Sequence, residues 1–358
     1  MLRMAGLEFS SAKEQQNLRQ KVNVMAMDIY YLIMATNHLI FFILTSTSIY
    51  NSMHHKEDYF YLIRSISSVG AFCIRVYYIF IKKLELGKIL ELLNNSYSKE
   101  QIIYYKLERY IKVLKIISSY CILSCIMLVT SAVISPVTLW ILTGKLTFLN
   151  FTPFYEGSFA SLPEIYPLIW IWSNLLFTYM MCASIGYTFM LAVTLVSLSI
   201  EFKILKMDMM NLKVYKMLSL SKPVKVLVDR QNKLYRQVDM VEKTYSILLL
   251  LDFCEPAFNA CFTAMVASIT TQNSTIIENV SNCLLYLSKI FIQCYFGEML
   301  RNASASLADG IYDCDWETAK DMEVRKSFVL MIMRAKRPAT LTCWKFSTVR
   351  LEQFYSVR

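Results

Sequence analysis

Ile165–Ile200 reads IYPLIWIWSNLLFTYMMCASIGYTFMLAVTLVSLSI, a run without one charged side chain. As a single helix it would be about 54 Å long, whereas a bilayer's hydrocarbon core is about 30 Å thick. Pro167 suits a helix start near the outer edge, so the excess must tilt or project into solvent. Five further runs of the same kind flank it. They are Ile29–Met53, Phe60–Ile81 (interrupted by Arg64 and Arg75), Ile116–Leu142, Thr244–Ile277 (with Asp252 and Glu255) and Asn279–Phe296 (with Lys289). Each is long enough for a spanning helix, which needs about 20 mostly apolar residues. None shows two-residue alternation with regular turn signals, which argues against a transmembrane barrel. The expectation is an all-α polytopic membrane bundle with six full spans.

Composition agrees. Of 358 residues, 56% are hydrophobic and only 18% charged, where a soluble domain carries about 25% charged residues. Eight Gly and seven Pro leave little for phosphate-cradling loops or turn-rich sandwiches. The net charge of +10 would suggest nucleic acid in a soluble protein, but here it sits in the connections between spans. Counting Lys and Arg from the N-terminal segment through the successive loops gives 4, 1, 8, 1, 10, 0 and 7. Basic connections stay cytoplasmic, which places the N-terminus inside, inverted relative to G-protein-coupled receptors. Residues 1–28 contain no apolar core of signal-peptide length, so no cleaved leader is expected. Asn150 (N-F-T) and Asn273 (N-S-T) fall in loops on the outer side and are the expected glycosylation sites. The division is 1–28 cytoplasmic, 29–296 membrane helices with their loops, and 297–358 a cytoplasmic region followed by the start of an incomplete seventh helix, all in one membrane domain.

Catalytic and metal chemistry find no motif. G-x-S-x-G, H-E-x-x-H, P-loop and G-x-G-x-x-G patterns are missing. His38, His54 and His55 have no acidic orienting partner at motif spacing, and no C-x-x-C pair occurs among ten cysteines. Cys73, Cys121, Cys125, Cys182, Cys254, Cys261, Cys283 and Cys294 lie inside apolar runs and read as buried thiols acting as small hydrophobes. No enzyme activity and no cofactor are expected. The triplet Asp229-Arg230-Gln231 is similar to the ionic motif of G-protein-coupled receptors, yet it does not follow the third span.

The amphipathic stretches Glu201–Leu218 and Val224–Glu242 should extend the neighbouring spans into the cytosol, separated by a break at Lys222-Pro223. Met299–Asp313 does the same after the sixth span. From Cys294 onward the sequence reads CYFGEMLRNASASLADGIYDCDW and then KSFVLMIMRAKRPATLTCWKFSTVRLEQF. This closely resembles the C-terminal signature of insect odorant receptors. The matching residues are Tyr295, Phe296, Gly297, Glu298, Ser306, Tyr312, Trp316, Arg334, Pro338, Leu341, Thr342, Lys345, Phe346, Leu351, Glu352 and Phe354. Asp229-Arg230-Gln231-Asn232 looks like a looser form of another motif of that family.

The resemblance implies a subunit of an odour-gated, non-selective cation channel. It implies seven helices, a cytoplasmic anchor built from the extensions of the fourth to seventh, and a heteromeric tetramer with a shared coreceptor. The partners it implies are that coreceptor, a small volatile hydrophobic ligand and membrane lipid, with no nucleic acid. The location implied is the plasma membrane of a sensory neuron dendrite. After Phe354 only four residues follow, where the family continues through most of a seventh span; a sequence ending inside that last helix is expected. A gustatory relative is disfavoured by the K-R-P-x-x-L-T-x-x-K-F pattern. A secondary transporter is disfavoured because internal repeats and interrupted midplane helices are not evident.

In the family, odorants lie in the outer half of the bundle among the second, third, fourth and sixth helices. By depth, the wall residues here are Tyr61, Ser65 and Ser68 on one stripe, Ser131, Ser135 and Trp140 on the next helix, and Trp170, Asn174 and Phe177 on the one after. Aromatic faces would supply dispersion contacts, and the hydroxyls and amide would orient a ligand. Charges inside spans are costly and need partners. Arg64 and Arg75 lie near opposite ends of their span and are expected to snorkel. Asp252 and Glu255 are three apart on one face, and Lys289 lies at similar depth; an ion pair of Lys289 with one of the two is expected. Asp252 stands where the family often has Gln. Glu298 and Glu352 should pair with Arg or Lys rather than perform acid–base work.

Overall fold

The structure, a computed structural model, describes residues 56–94, 107–143, 166–212, 221–269 and 273–356, with isolated helical positions between 32 and 46. Among the described residues five long helices dominate: Lys56–Asn94, Glu108–Thr143, Tyr166–Met210, Ser221–Ile269 and Asn273–Tyr312. They are followed by a short 3-10 turn at Trp316–Thr318 and the helix Met322–Ala335. A hairpin of Thr342–Cys343 with Ser347–Thr348 and a final helix Leu351–Ser356 complete the order. The helical class is as the hydropathy pattern requires. The hairpin is a small departure from an all-α chain.

Boundaries differ in two places. The apolar run expected to reach Ile277 ends as a helix at Ile269, and the next helix opens at Asn273 rather than Asn279. No charged residue lies between Glu255 and Glu278, so Ile276 and Ile277 read as a continuation of the preceding run although they belong to the following helix. The cytosolic extension expected to reach Leu218 closes at Met210. There Asn211 N–H donates to the Met207 carbonyl (2.9 Å) and Leu212 N–H to that of Met209 (3.0 Å), which tightens the last turn. Residues 213–220 lie outside the described set. Lys222 and Pro223 fall in the first turn of Ser221–Ile269, where proline's missing N–H would have no helical acceptor in any case.

The chain divides into two compact units. The first comprises residues 1–84, 118–189 and 250–289. Its core packs Val69, Phe72 and Val76 of one helix against Leu176, Tyr179 and Met180 of another, with Ala35, Phe42, Cys73, Trp172 and Ala183 alongside. The 69, 72, 76 and 176, 179, 180 spacings are one helical face each. Elsewhere on the helices of this unit Ile74, Tyr77, Ile81, Leu123, Ile126, Leu168, Leu175, Phe258 and Leu284 are all exposed. Leu168 is 67% exposed and Tyr77 68%. Water would not tolerate apolar surface of this extent, and lipid does. Among the described residues, Thr178–Met210 and Lys222–Phe262 are long and apolar enough to cross a membrane.

The second unit comprises residues 85–117, 190–249 and 290–358. Leu195, Leu198, Phe202 and Leu205 are buried here, as are Leu234, Val238, Val241, Phe296, Leu300, Leu307 and Ile311. Small residues let elements approach closely: a Cβ on Gly310 would lie 2.5 Å from Lys206 Cγ. Met322–Ala335 starts on Asp321, whose carboxylate accepts from Glu323 N–H at 2.9 Å. It buries Val324, Phe328, Met331, Ile332 and Ala335. The hairpin pairs Thr342 with Thr348 and Cys343 with Ser347, and its loop holds Trp344 and Lys345 at φ of 45° and 64°.

The cysteines with described side chains are free, but they are not uniformly buried. Cys254 and Cys261 are exposed, contrary to the sequence expectation, because they fall on an outward face of an apolar helix. Hydropathy alone cannot distinguish a lipid-facing thiol from a core one. Cys314, outside the spans, is buried, and burial pushes its thiol up to about 11, so it is protonated and inert at neutral pH. The side chain of Cys283 lies outside the described residues.

Candidate functional site

In the first unit, two helices meet along a polar seam. Ser68 and Arg75 are seven apart on Lys56–Asn94, while Asp252, Glu255 and Asn259 share one face of Ser221–Ile269 at steps of three and four. Asn259 Nδ2 donates to Ser68 Oγ at 3.0 Å, and both residues are buried. Arg75 Nη2 reaches Asp252 Oδ1 at 2.9 Å and also pairs with Glu255. From Asn273–Tyr312, Lys289 Nζ donates to the same Asp252 oxygen at 2.8 Å and to Ser184 Oγ at 3.1 Å. Asp252 is 0% exposed and thus serves two cations from two helices.

The expected pair of Lys289 with Asp252 is therefore present. The snorkelling expected of Arg75 is not: its side chain is 4% exposed and turned inward. A fully buried carboxylate beside a half-buried one needs cations close by, and this requirement outweighs the pull of the interface. Arg64 lies on the same helix with its side chain outside the described residues. The sequence reading also missed Asn259, although its register with Asp252 and Glu255 was visible.

Beside this seam lies an aromatic group. His38 is buried, with Phe72 at 4.8 Å and Tyr179 at 5.4 Å between ring centroids, and Phe72 meets Tyr179 edge-on at 6.1 Å. The Nε2 of His38 lies 3.3 Å from the Leu176 carbonyl. Of the nine residues expected to wall a pocket, Ser68 is the one whose side chain is described, and it is engaged by Asn259. Tyr61 and Ser65 fall on Lys56–Asn94, Ser131, Ser135 and Trp140 on Glu108–Thr143, and Trp170, Asn174 and Phe177 on Tyr166–Met210. Their side chains lie outside the described residues. Asn150 lies outside them too, and Asn273 opens its helix.

The second unit gathers the C-terminal signature. Phe296 is fully buried, and Tyr295 stacks edge-on to it at 5.4 Å. Gly297 faces the Val349 backbone carbonyl, and a Cβ there would also lie 3.1 Å from Val349 Cγ1. Glu298 pairs with Arg301 at 3.0 Å and Glu352 with Arg350 at 3.5 Å, the structural pairings expected of them. Ser306 Oγ accepts from Lys203 Nζ (2.9 Å), and Thr342 Oγ1 donates to Glu242 (2.7 Å). Arg334 lies over the Tyr235 ring at 4.5 Å. Leu341 accepts from Val349 N–H at 2.9 Å. Arg230 of the D-R-Q-N stretch bonds Asp208 (2.6 Å) and Glu201 (3.1 Å), while Gln231 donates to the Met331 carbonyl (3.1 Å). Pro338 is half-buried; Tyr312, Lys345 and Phe346 are exposed, and Trp316 sits in the 3-10 turn. Phe354 lies in the last helix with its side chain outside the described residues.

Comparison with known proteins places these features. The chain is 25% identical over 122 residues to odorant receptor 85c of Drosophila melanogaster, covering 34% of this chain and 31% of that protein. It is 29% identical over 136 residues to the odorant receptor coreceptor of Aedes aegypti, covering 37% of this chain and 28% of the relative. These alignments thus span about a third of the relatives' own length or less. The fold is similar to that of the insect olfactory receptor OR5 from Machilis hrabei, with a TM-score of 0.82 at 16% identity, over 99% of this chain and 92% of that one. The same receptor in complex with eugenol gives 0.83 at 17% identity. Residues 59–358 match the 7tm odorant receptor family throughout, and they include the charged seam and the whole C-terminal signature: the chain belongs to that family.

Proposed function

We propose that the chain is the odour-tuning subunit of a heteromeric, odorant-gated, non-selective cation channel in the plasma membrane of an olfactory neuron. The observation that carries this reading is the family match from residue 59 to residue 358. A relative with this fold has been solved with eugenol, a small and largely apolar phenol, which supports the same class of ligand here. The partner is a coreceptor subunit in a tetramer, and the coreceptor is itself among the similar proteins. The ligand shifts the population toward an open arrangement by binding it more tightly than the closed one. Binding and gating of this kind use no catalytic group and no cofactor.

Cells expressing the chain with a coreceptor should pass inward cation current when small volatile aromatics are applied. The purified chain should gain thermal stability with the same compounds by mass action. A panel that yields neither current nor stabilisation overturns the reading; coupled uptake without current would favour a transporter.

The N-terminus is cytoplasmic in this proposal, on the strength of the Lys and Arg alternation across the loops. An epitope before Met1 should be stained only after permeabilisation. Staining of intact cells would reverse the topology.

A further inference from the structure

Helix Ser221–Ile269 has a proline in its interior, the buried Pro256. Proline has no amide hydrogen, so position 256 offers no helical donor to the carbonyl four residues earlier, that of Asp252. Asp252 is also the residue whose side chain is held by cations from two other helices, Arg75 and Lys289. The interruption of the backbone ladder and the ionic clamp therefore coincide within Asp252–Pro256. Glu255, next to the proline, takes the same Arg75. Asn259, beyond the proline, is tied to Ser68 on the helix that carries Arg75.

Proline interruptions are where membrane helices bend, because the freed backbone group can be satisfied in more than one way. A buried ion cluster adds little net stability but selects one arrangement over its competitors. Plain packing explains either feature alone. It does not explain why the clamp is fastened to the one turn that the proline weakens.

We propose that Asp252–Pro256 is a hinge, latched in the present arrangement by Arg75 and Lys289, and that releasing the latch lets the helix bend there. The consequence for gating rests on the channel reading above; the hinge itself does not.

Hydrogen exchange of the full chain in nanodiscs, followed on peptides spanning residues 250–262, tests it. Asp252→Asn should speed exchange of this segment about tenfold by raising the population of the opened hinge. The charge-balanced double variant Asp252→Asn/Lys289→Met, which keeps the Arg75–Glu255 pair, should do the same while folding normally. Pro256→Ala restores the missing donor and should slow exchange about threefold or more. A double variant that exchanges like wild type, or a Pro256→Ala that fails to slow exchange, overturns the hinge. In cells with a coreceptor, Asp252→Asn should raise the odour-independent share of the current. If wild type gives no odour-evoked current while the exchange differences hold, the channel reading falls and the hinge stands. If currents are normal and exchange is unchanged, the hinge falls alone.

Discussion

Arg75→Met should remove most of the folded protein from the membrane, and Lys289→Met should be the milder lesion. Arg75 serves both carboxylates, reaching the buried Asp252 at 2.9 Å and pairing with the half-buried Glu255 as well. Lys289 serves Asp252 alone, with Ser184 as its other partner. Without the guanidinium, two carboxylates in a water-poor interior share a single ammonium. Without the ammonium, the guanidinium still bridges both acids. Leaving a buried charge uncompensated costs about 3–5 kcal/mol, comparable to much of a domain's stability. Surface yield and detergent melting temperature should rise in the order Arg75→Met, Lys289→Met, wild type. Adding Glu255→Gln to Arg75→Met should recover part of the loss, since it removes one of the stranded charges. An equal or larger fall for Lys289→Met would show that Arg75 is not the principal counter-ion.

Gly297→Ala should be nearly as damaging for a different reason. The new methyl would fall on the Val349 backbone carbonyl and press Val349 Cγ1 at 3.1 Å. A flexible side chain could yield, but Val349 is fixed by its N–H bond to the Leu341 carbonyl across the hairpin. Overpacking of this kind costs about 1–3 kcal/mol, and a backbone obstacle puts it at the upper end. Gly186→Ala is the matched control, because nothing lies within 4 Å of a Cβ built there. In a helix interior that change should gain about 0.5–1 kcal/mol. Melting curves should therefore move in opposite directions for the two variants. If both move upward, the close approach at Gly297 is wrong.

These two cases also separate what could be foreseen from what could not. Helical class and the approximate extent of the long described helices were legible because apolar side chains over about 20 residues leave few alternatives in lipid. The Lys289–Asp252 pair was legible because intramembrane charges are few and costly. The family signature was legible residue by residue, but its contacts were not. Nothing in Y-F-G-E tells that the glycine faces the carbonyl of Val349, fifty-two positions later. The helix boundary before Asn273 escaped because no charge interrupts the apolar run there. Of the pocket stripe, Ser68 turned to Asn259 on another helix, a partner that depth and periodicity cannot name.

The amino-acid sequence by itself determined the helical class and the apolar character of the long runs, since transfer of a side chain between water and lipid is a local property that sums along the chain. It determined in this way which of those runs carry charges in need of partners. Tertiary structure alone decided which partners those were. It turned Arg75 inward instead of toward the headgroups, joined it with Lys289 on one carboxylate, and set that carboxylate at the turn weakened by Pro256. Pair energies depend on distance and burial between helices far apart in sequence, and those quantities exist only once the helices have packed.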